Sequence, residues 1–345
     1  MHECINIIFT IWQHKMLLIK FFNHIRSGYR YKSIVMFTIG IYLIFGVMTG
    51  SSKLGSVHYF NVQQFNNNGE FIAGWGSKGS SNGQFMHAHG IGTDSLGNVY
   101  VSDAENFNVQ KFSNDGKFIT KWGSKGVTDG HFAKMESIGV DLDDNVYIVD
   151  NENNRIQKFD SNGKFITKWG TNGTEEGQFI TPWGIAFDSS NDVYVSDKGN
   201  NRIQKFDSNG KFIASYGSFG KGNGRFMHMH GIGIDSTDNI YVVDAKNFNI
   251  QKFTHDGKFV TKWGVYGIGD DQFVYPHGLA IDSSDNVYVV DSGNSRIQKF
   301  DSDGKFLAKW GLGEWGTGRL YSPHDIAIDS LDNIYITDSL DAHFD

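Results

Sequence analysis

Beyond residue 60 the chain is written in short alternating runs. VYVSD (Val193–Asp197), RIQKF (Arg202–Phe206) and KFIASYG (Lys211–Gly217) alternate apolar with polar positions, whereas GIAFD (Gly184–Asp188) is small and apolar. Alternation with period two is that of a pleated strand with one face toward a core. Between the runs stand turns such as DSSND (Asp188–Asp192) and DSNG (Asp207–Gly210). Asp, Asn and Gly accept the left-handed backbone that tight hairpins require. The pattern predicts four short antiparallel strands in succession, the first of them the least polar.

This unit recurs without a break in register. The aspartate of Tyr-(Val/Ile)-x-Asp falls at Asp103, Asp150, Asp197, Asp244, Asp291 and Asp338, a constant step of 47 residues. Trp75, Trp122, Trp169, Tyr216, Trp263 and Trp310, each followed by Gly, keep the same step, as do the turn glycines from Gly69 to Gly304. Four strands in about 45 residues make a propeller blade. The first two strands of the unit occur six times, near Gly90, Ser137, Gly184, Gly231, Gly278 and Asp325. The last two also occur six times, but their first copy, Asn61–Gly76, precedes every front half. Circular closure accounts for both facts, because the N-terminal hairpin then completes the blade begun at Asp325 and no sheet edge stays open. The expected fold is all-β, a six-bladed propeller of four-stranded antiparallel blades over residues 53–345.

Ahead of it lies a different composition. Residues 1–32 form a basic segment, and residues 33–52 are uncharged with an apolar heart from Ile34 to Met48. Arg26, Arg30 and Lys32 stand just before that heart, and small residues Thr49–Ser52 follow it. This order is that of a signal peptide, and the length is also sufficient for one transmembrane anchor. The basic flank on the N-terminal side orients the propeller outward, to the cell surface or the extracellular space. Residues 1–53 hold six basic residues against one acid, so residues 54–345 carry −12 of the chain's −7. A body that acidic repels phosphate backbones, and no nucleic-acid partner is expected. The single cysteine, Cys4, rules out an intrachain disulfide and a cysteine-based zinc site.

The repeated residues are similar to a known family. D-x-x-N-x-R-I-Q-K-F at Asp150–Phe159 and Asp197–Phe206, with G-x-F ahead of P-x-G-I-A-x-D, resembles the NHL repeat over roughly residues 58–345. The resemblance implies the propeller and leaves the function open. Similar propellers serve as RNA-binding ends of tripartite-motif proteins, as sensor domains of bacterial surface kinases, and as zinc-dependent peptidylamidoglycolate lyases. With no RING cysteines, the chain lacks a ubiquitin-ligase module of the tripartite-motif type.

Features common to all units read as scaffold. Six equivalent active sites in one chain are implausible, so the Tyr-x-x-Asp aspartates and the following Arg155, Arg202 and Arg296 are turn caps with their partners. The Asp-rich turns lack the spaced Gly and terminal Glu of a calcium loop. Function belongs where the units differ. Just before the innermost strand stand His89, Glu136, Trp183, His230, His277 and His324; two residues earlier stand His87, Lys134, Thr181, His228, Tyr275 and Ser322. Six of the 13 histidines thus fall on two positions that should ring one mouth of the channel. His87–Gly90 and His228–Gly231 are three blades apart and should face each other. Neutral imidazoles beside a carboxylate suit zinc or another divalent transition metal, with His89, His230, His277, His324 and Glu136 as candidate ligands. His87, His228, Trp183 and Tyr275 would line the ligand-binding mouth. In the lyases that the family resemblance brings in, channel-facing histidines hold zinc, and Tyr275 or Glu136 would be the base.

Two functions follow as expectations. One is an extracytoplasmic module binding an unknown protein, peptide or small molecule through its variable loops, from Ser77–Gln84 to Leu312–Arg319. The other is a metal-dependent lyase or hydrolase in the channel. Membrane contact is expected through the N-terminal segment only. Export makes Asn172-Gly173-Thr174 an available glycosylation sequon. It also predicts that protease added to intact cells reaches the propeller; protection until lysis would overturn the topology.

Overall fold

The computed structural model describes residues 59–312 and 318–339, so the expected leader at 33–52 lies outside the described residues. Within them the six four-stranded antiparallel sheets form as expected. Blades I to V run Ala88–Trp122, Met135–Trp169, Pro182–Tyr216, Met229–Trp263 and Pro276–Trp310. Blade VI takes Pro323–Ile328 and Ile334–Asp338 from the C-terminal end and Val62–Phe65 and Phe71–Trp75 from the start. Val62 pairs with Thr337 and Phe65 with Ile334, which is the circular closure.

Strand boundaries follow the alternating runs closely. Val193–Asp197 and Arg202–Phe206 are strands as read. The inner strand, expected from Gly184, begins two residues earlier at Pro182. Its pairing there skips from Pro182–Asp197 to Ile185–Val195, an irregularity that period-two reasoning does not anticipate. The blade-entry loops also hold short parallel pairings, such as Ser218–Phe219 with Arg225–Phe226.

The core lies between neighbouring blades rather than inside any one of them. A buried phenylalanine from each third strand (Phe65, Phe112, Phe159, Phe206, Phe253, Phe300) anchors six equivalent apolar clusters. Full burial of such a ring stabilises by about 1.5–3 kcal/mol. The outer seam rests on a backbone device. Each turn glycine lies under the aromatic ring of the preceding blade, and a Cβ on Gly257 would meet Tyr216 at 2.0 Å. With φ near +80° as well, the turn admits only glycine at little strain.

The inner turns are joined in a belt around the channel end away from the histidines. Ser95, Ser189, Ser236 and Ser283 each donate from N–H and Oγ to the carboxylate of Asp144, Asp238, Asp285 and Asp332 in the next blade. The Leu142 N–H donates to Asn191 Oδ1 in the same way. These acceptors sit at φ of about +60°, a strained region that Asp and Asn tolerate best. At the sixth seam the acceptor position is Gly97, so the belt has no carboxylate there.

Closure by the first hairpin predicts the effect of removing it. A chain beginning at Gly83 leaves Ile334–Asp338 as an unpaired edge. It should melt well below the intact protein and self-associate. An unchanged melting temperature in a monomer would refute the closure's role.

Candidate functional site

The inner strands deliver their histidines to one mouth because the repeated aspartates fix the chain entering each strand. Asp103 accepts from the N–H groups of Met86 and His87, and Asp244 from those of Met227 and His228. Asp338 does the same for Tyr321 and Ser322. Where an arginine follows, it bonds the aspartate of its own blade, as Arg155 does Asp150 at 2.7 Å and Arg296 does Asp291. These groups form local caps in every blade.

The predicted mouth residues do converge, and they divide into two groups. His87, His89 and His324 bring one ligand atom each to within 4.8 Å of one another. Their ring centroids are 4.8–5.4 Å apart. On the other side His230 packs on His277 at 4.5 Å, with His228 and Tyr275 against them. Trp183 stands between: its indole stacks on His230 at 4.7 Å and meets His89 edge-on at 5.7 Å. The sequence placed His89 and His230 face to face around one ion; in the structure a tryptophan fills that span. His230 and His277 therefore lie outside the three-histidine group, although His277 touches His324 at 5.5 Å. His87, read from sequence as a mouth residue, lies inside it.

Hydrogen bonds fix two tautomers. His89 Nδ1 lies 2.8 Å from the Glu136 carbonyl oxygen, which only accepts, so Nδ1 carries the proton. Its Nε2 then points at Glu136 Oε2, 3.3 Å away, without hydrogen-bond alignment. A lone pair facing a carboxylate is repulsive, so a proton or a metal ion belongs between them. The other Glu136 oxygen is 3.3 Å from Lys134 Nζ. His230 Nδ1 likewise donates to the Pro276 carbonyl at 3.3 Å, leaving its Nε2 a lone pair. That nitrogen has no hydrogen-bond partner among the described residues. Burial holds the His230 pKa well below the ordinary imidazole value, and nearby His277, Lys198 and His228 add to the shift.

Residues 179–206 and 273–300 match the NHL repeat family, and residues 93–172 match a six-bladed β-propeller family. The chain carries NHL repeats. No curated protein matches it. Among solved structures, a streptogramin B lyase is similar at 15% identity and TM-score 0.54, over 79% of this chain and 97% of that one. A catalytically inactive virginiamycin B lyase from Staphylococcus aureus with quinupristin is similar at 18% identity and TM-score 0.55, over 81% and 82%. A gluconolactonase from Xanthomonas campestris is similar at 14% and 0.52, over 74% and 86%. At these identities the likeness is one of fold.

One NHL unit departs where sequence reading did not look. Below the mouth, the residue after each ring position is Gly90, Ser137, Gly184, Gly231 or Gly278 in five blades and Asp325 in the sixth. Burial pushes the Asp325 pKa up to about 7; the Glu136 charge adds to the rise, and the bonds from Ile326, Ile91 and Ser137 offset part of it. The signal was available in the same register comparison that found the histidines, one residue further on.

The neutral His230 has a measurable consequence. Its unfolded imidazole binds a proton below about pH 6.5 that the folded one refuses. Stability should therefore fall as pH drops below about 6.5, and His230→Gln should flatten that dependence. A melting profile with the same slope in both proteins would contradict it.

Proposed function

We propose that the three-histidine group holds a divalent transition metal, zinc by its ligand types, and that the propeller acts as a metal-dependent lyase or hydrolase outside the cytoplasm. The observation that carries this reading is the convergence of His87, His89 and His324, with the Glu136 carboxylate 3.3 Å from His89 Nε2. Zinc bonds of about 2.0–2.1 Å put tetrahedral ligand atoms near that separation, and the imidazoles close to it by modest side-chain rotation. With His89 and His324 buried and His87 half-buried, the group has room for an ion or a small molecule.

Bound there, the metal would polarise a carbonyl or hydroxyl oxygen of the substrate. The chain's own groups supply the rest. Trp183 offers an apolar face beside the ion, His230 Nε2 a lone pair to accept a hydrogen bond from the substrate, and Tyr275 a hydroxyl in the same cluster. The neighbouring folds named for a streptogramin B lyase and a gluconolactonase are compatible with such chemistry. A second reading, a binding module, draws on Phe219, Tyr266 and Ile268, which stand exposed on the loops leading into the inner strands.

Elemental analysis of the purified protein should return one zinc or similar ion per chain. His89→Ala with His324→Ala should abolish it, whereas His255→Ala, in an exposed outer turn, should leave it intact. Affinity should fall as pH drops through about 6.5, since imidazoles must be neutral to bind. A metal-free protein, or content unchanged in the double variant, would remove the metal and leave the binding module.

A further inference from the structure

The six inner strands approach one another most closely just below the histidine mouth. A Cβ on Gly90 would lie 2.5 Å from the Glu136 carbonyl oxygen, and one on Gly184 or Gly231 would lie 2.8 Å from that of His230 or His277. Small residues are what this crowding allows, and five blades supply them. Blade VI instead carries a carboxylate, Asp325, into the same layer.

Its contacts reach across several blades. Asp325 Oδ2 accepts from the Ile91 N–H of blade I at 3.3 Å and from Ser137 Oγ of blade II at 3.3 Å. Oδ1 accepts from the Ile326 N–H and occupies the space where a Cβ on Gly278 of blade V would stand, 2.6 Å away. One residue of the partner strand completes the arrangement. Thr337 Oγ1 accepts from the Asp325 N–H at 3.0 Å and donates to the His89 carbonyl oxygen at 2.5 Å. Ser196 makes the equivalent pair of bonds between blades III and IV, from the Gly184 N–H and to the His230 carbonyl. In blade I the same position, Ser102, bonds only Gly90 of its own blade, accepting from the N–H at 2.8 Å and donating to the carbonyl at 3.4 Å.

We infer that Asp325 and Thr337 are positioning residues for the metal-binding group: together they lock the strand carrying His324 to the strand carrying His87 and His89. The inference rests on the metal reading for its purpose, but its geometry stands apart from it. The three imidazoles come from two blades, and no ladder hydrogen bond joins blade VI to blade I, because each sheet is closed within itself. Their mutual distances depend on what spans that seam. The belt of the opposite mouth lacks its carboxylate at this seam, where Gly97 stands. Besides the apolar cluster of Val62, Ala327 and Tyr335 with Ile91 and Phe112, the seam is spanned by three hydrogen bonds: between Asp325 and Ile91, between Thr337 and His89, and from the Thr93 hydroxyl to the Ile328 carbonyl. Two of the three lie directly beneath the imidazoles.

The test uses the full-length protein and four variants. Asp325→Gly restores the residue found at four other blades, and Thr337→Val removes the hydroxyl while keeping the shape. Thr337→Ser keeps the hydroxyl, and Ser196→Val deletes the equivalent bond at another seam. Zinc dissociation constants from chelator competition should rise about 10- to 100-fold in Asp325→Gly and Thr337→Val, the range seen for groups behind metal ligands. They should change little in Thr337→Ser and Ser196→Val. Without added metal, nuclear Overhauser contacts between the His89 and His324 rings, now 4.8 Å apart, should weaken in the first two variants and persist in the others. If those contacts and zinc affinity both survive Asp325→Gly and Thr337→Val, the positioning role is wrong. If the contacts are lost but the parent protein never binds zinc, the positioning role stands and the metal reading falls.

Discussion

The whole molecule depends on four residue pairs, those between Val62–Phe65 and Ile334–Thr337. A propeller gains its stability from apolar faces shared between adjacent blades, so a single incomplete blade opens two seams at once. The first hairpin prevents this on both sides. Gly69 tucks under Trp310 of blade V, and Trp75 covers Gly116 of blade I. The same pairing reaches the histidine mouth. Val62 is paired with Thr337, whose hydroxyl bonds the His89 carbonyl. The bonds that close the ring and the bonds that order the imidazoles are therefore neighbours along one strand, Ile334–Asp338, in the blade that the first hairpin completes.

The seam between blades VI and I is chemically unlike the other five. Elsewhere a serine donates twice to an aspartate of the next blade, or a backbone N–H donates to an asparagine. The acceptor tolerates a left-handed backbone because its side chain is short and polar. Gly97 removes the acceptor between blades VI and I and replaces it with nothing. Thr93, Thr337 and Asp325 all fall at this same seam, in places where other blades carry apolar or small residues. Val140, Phe187, Ile234 and Ile281 occupy the position of Thr93, for instance. Blade VI is also the one blade whose two halves are not continuous in chain, since Val62–Phe65 and Ile334–Thr337 are joined by hydrogen bonds alone. The extra hydrogen bonds from its inner strands stiffen the part of the mouth that carries His87, His89 and His324.

The fold was legible because its determinants are local and repeated. Alternation marks the second and third strands to the residue, and the count of half-units by itself implies the closure. The inner strand was read two residues late, because its pairing breaks between Pro182 and Ile185 and period two no longer holds there. The membership of the mouth was also legible, from one register comparison. Its internal grouping was not. Equal spacing along the chain implies sixfold symmetry, and from symmetry His89 should face His230. Trp183 overrides that expectation because its indole is larger than the share of the channel allotted to one residue, so it enters the span and stacks on His230. Side-chain size in a confined channel has no trace in spacing.

The same confinement bears on why the histidines are there. Their ring positions are almost fully enclosed, with His230 at 1% and His324 at 2% exposure. An imidazole in such a place serves packing poorly, since its nitrogens lose water and must find partners. Nothing in the blade requires it, because Trp183 fills the same register in blade III. Glu136 fills it in blade II, beside Lys134 and His89. A scaffold under selection for stability alone would fill the layer with apolar side chains, as the apolar clusters between blades do. The mouth instead gathers imidazoles and a carboxylate, and His230 Nε2 has no hydrogen-bond partner among the described residues. Asp325 repeats the choice one layer down, placing a carboxylate where glycine would fit. In these two adjacent layers polar groups differ from blade to blade, unlike the repeated buried aspartates and glutamines of the scaffold. Such departures from the repeat are what a binding site built into the end of a closed channel requires.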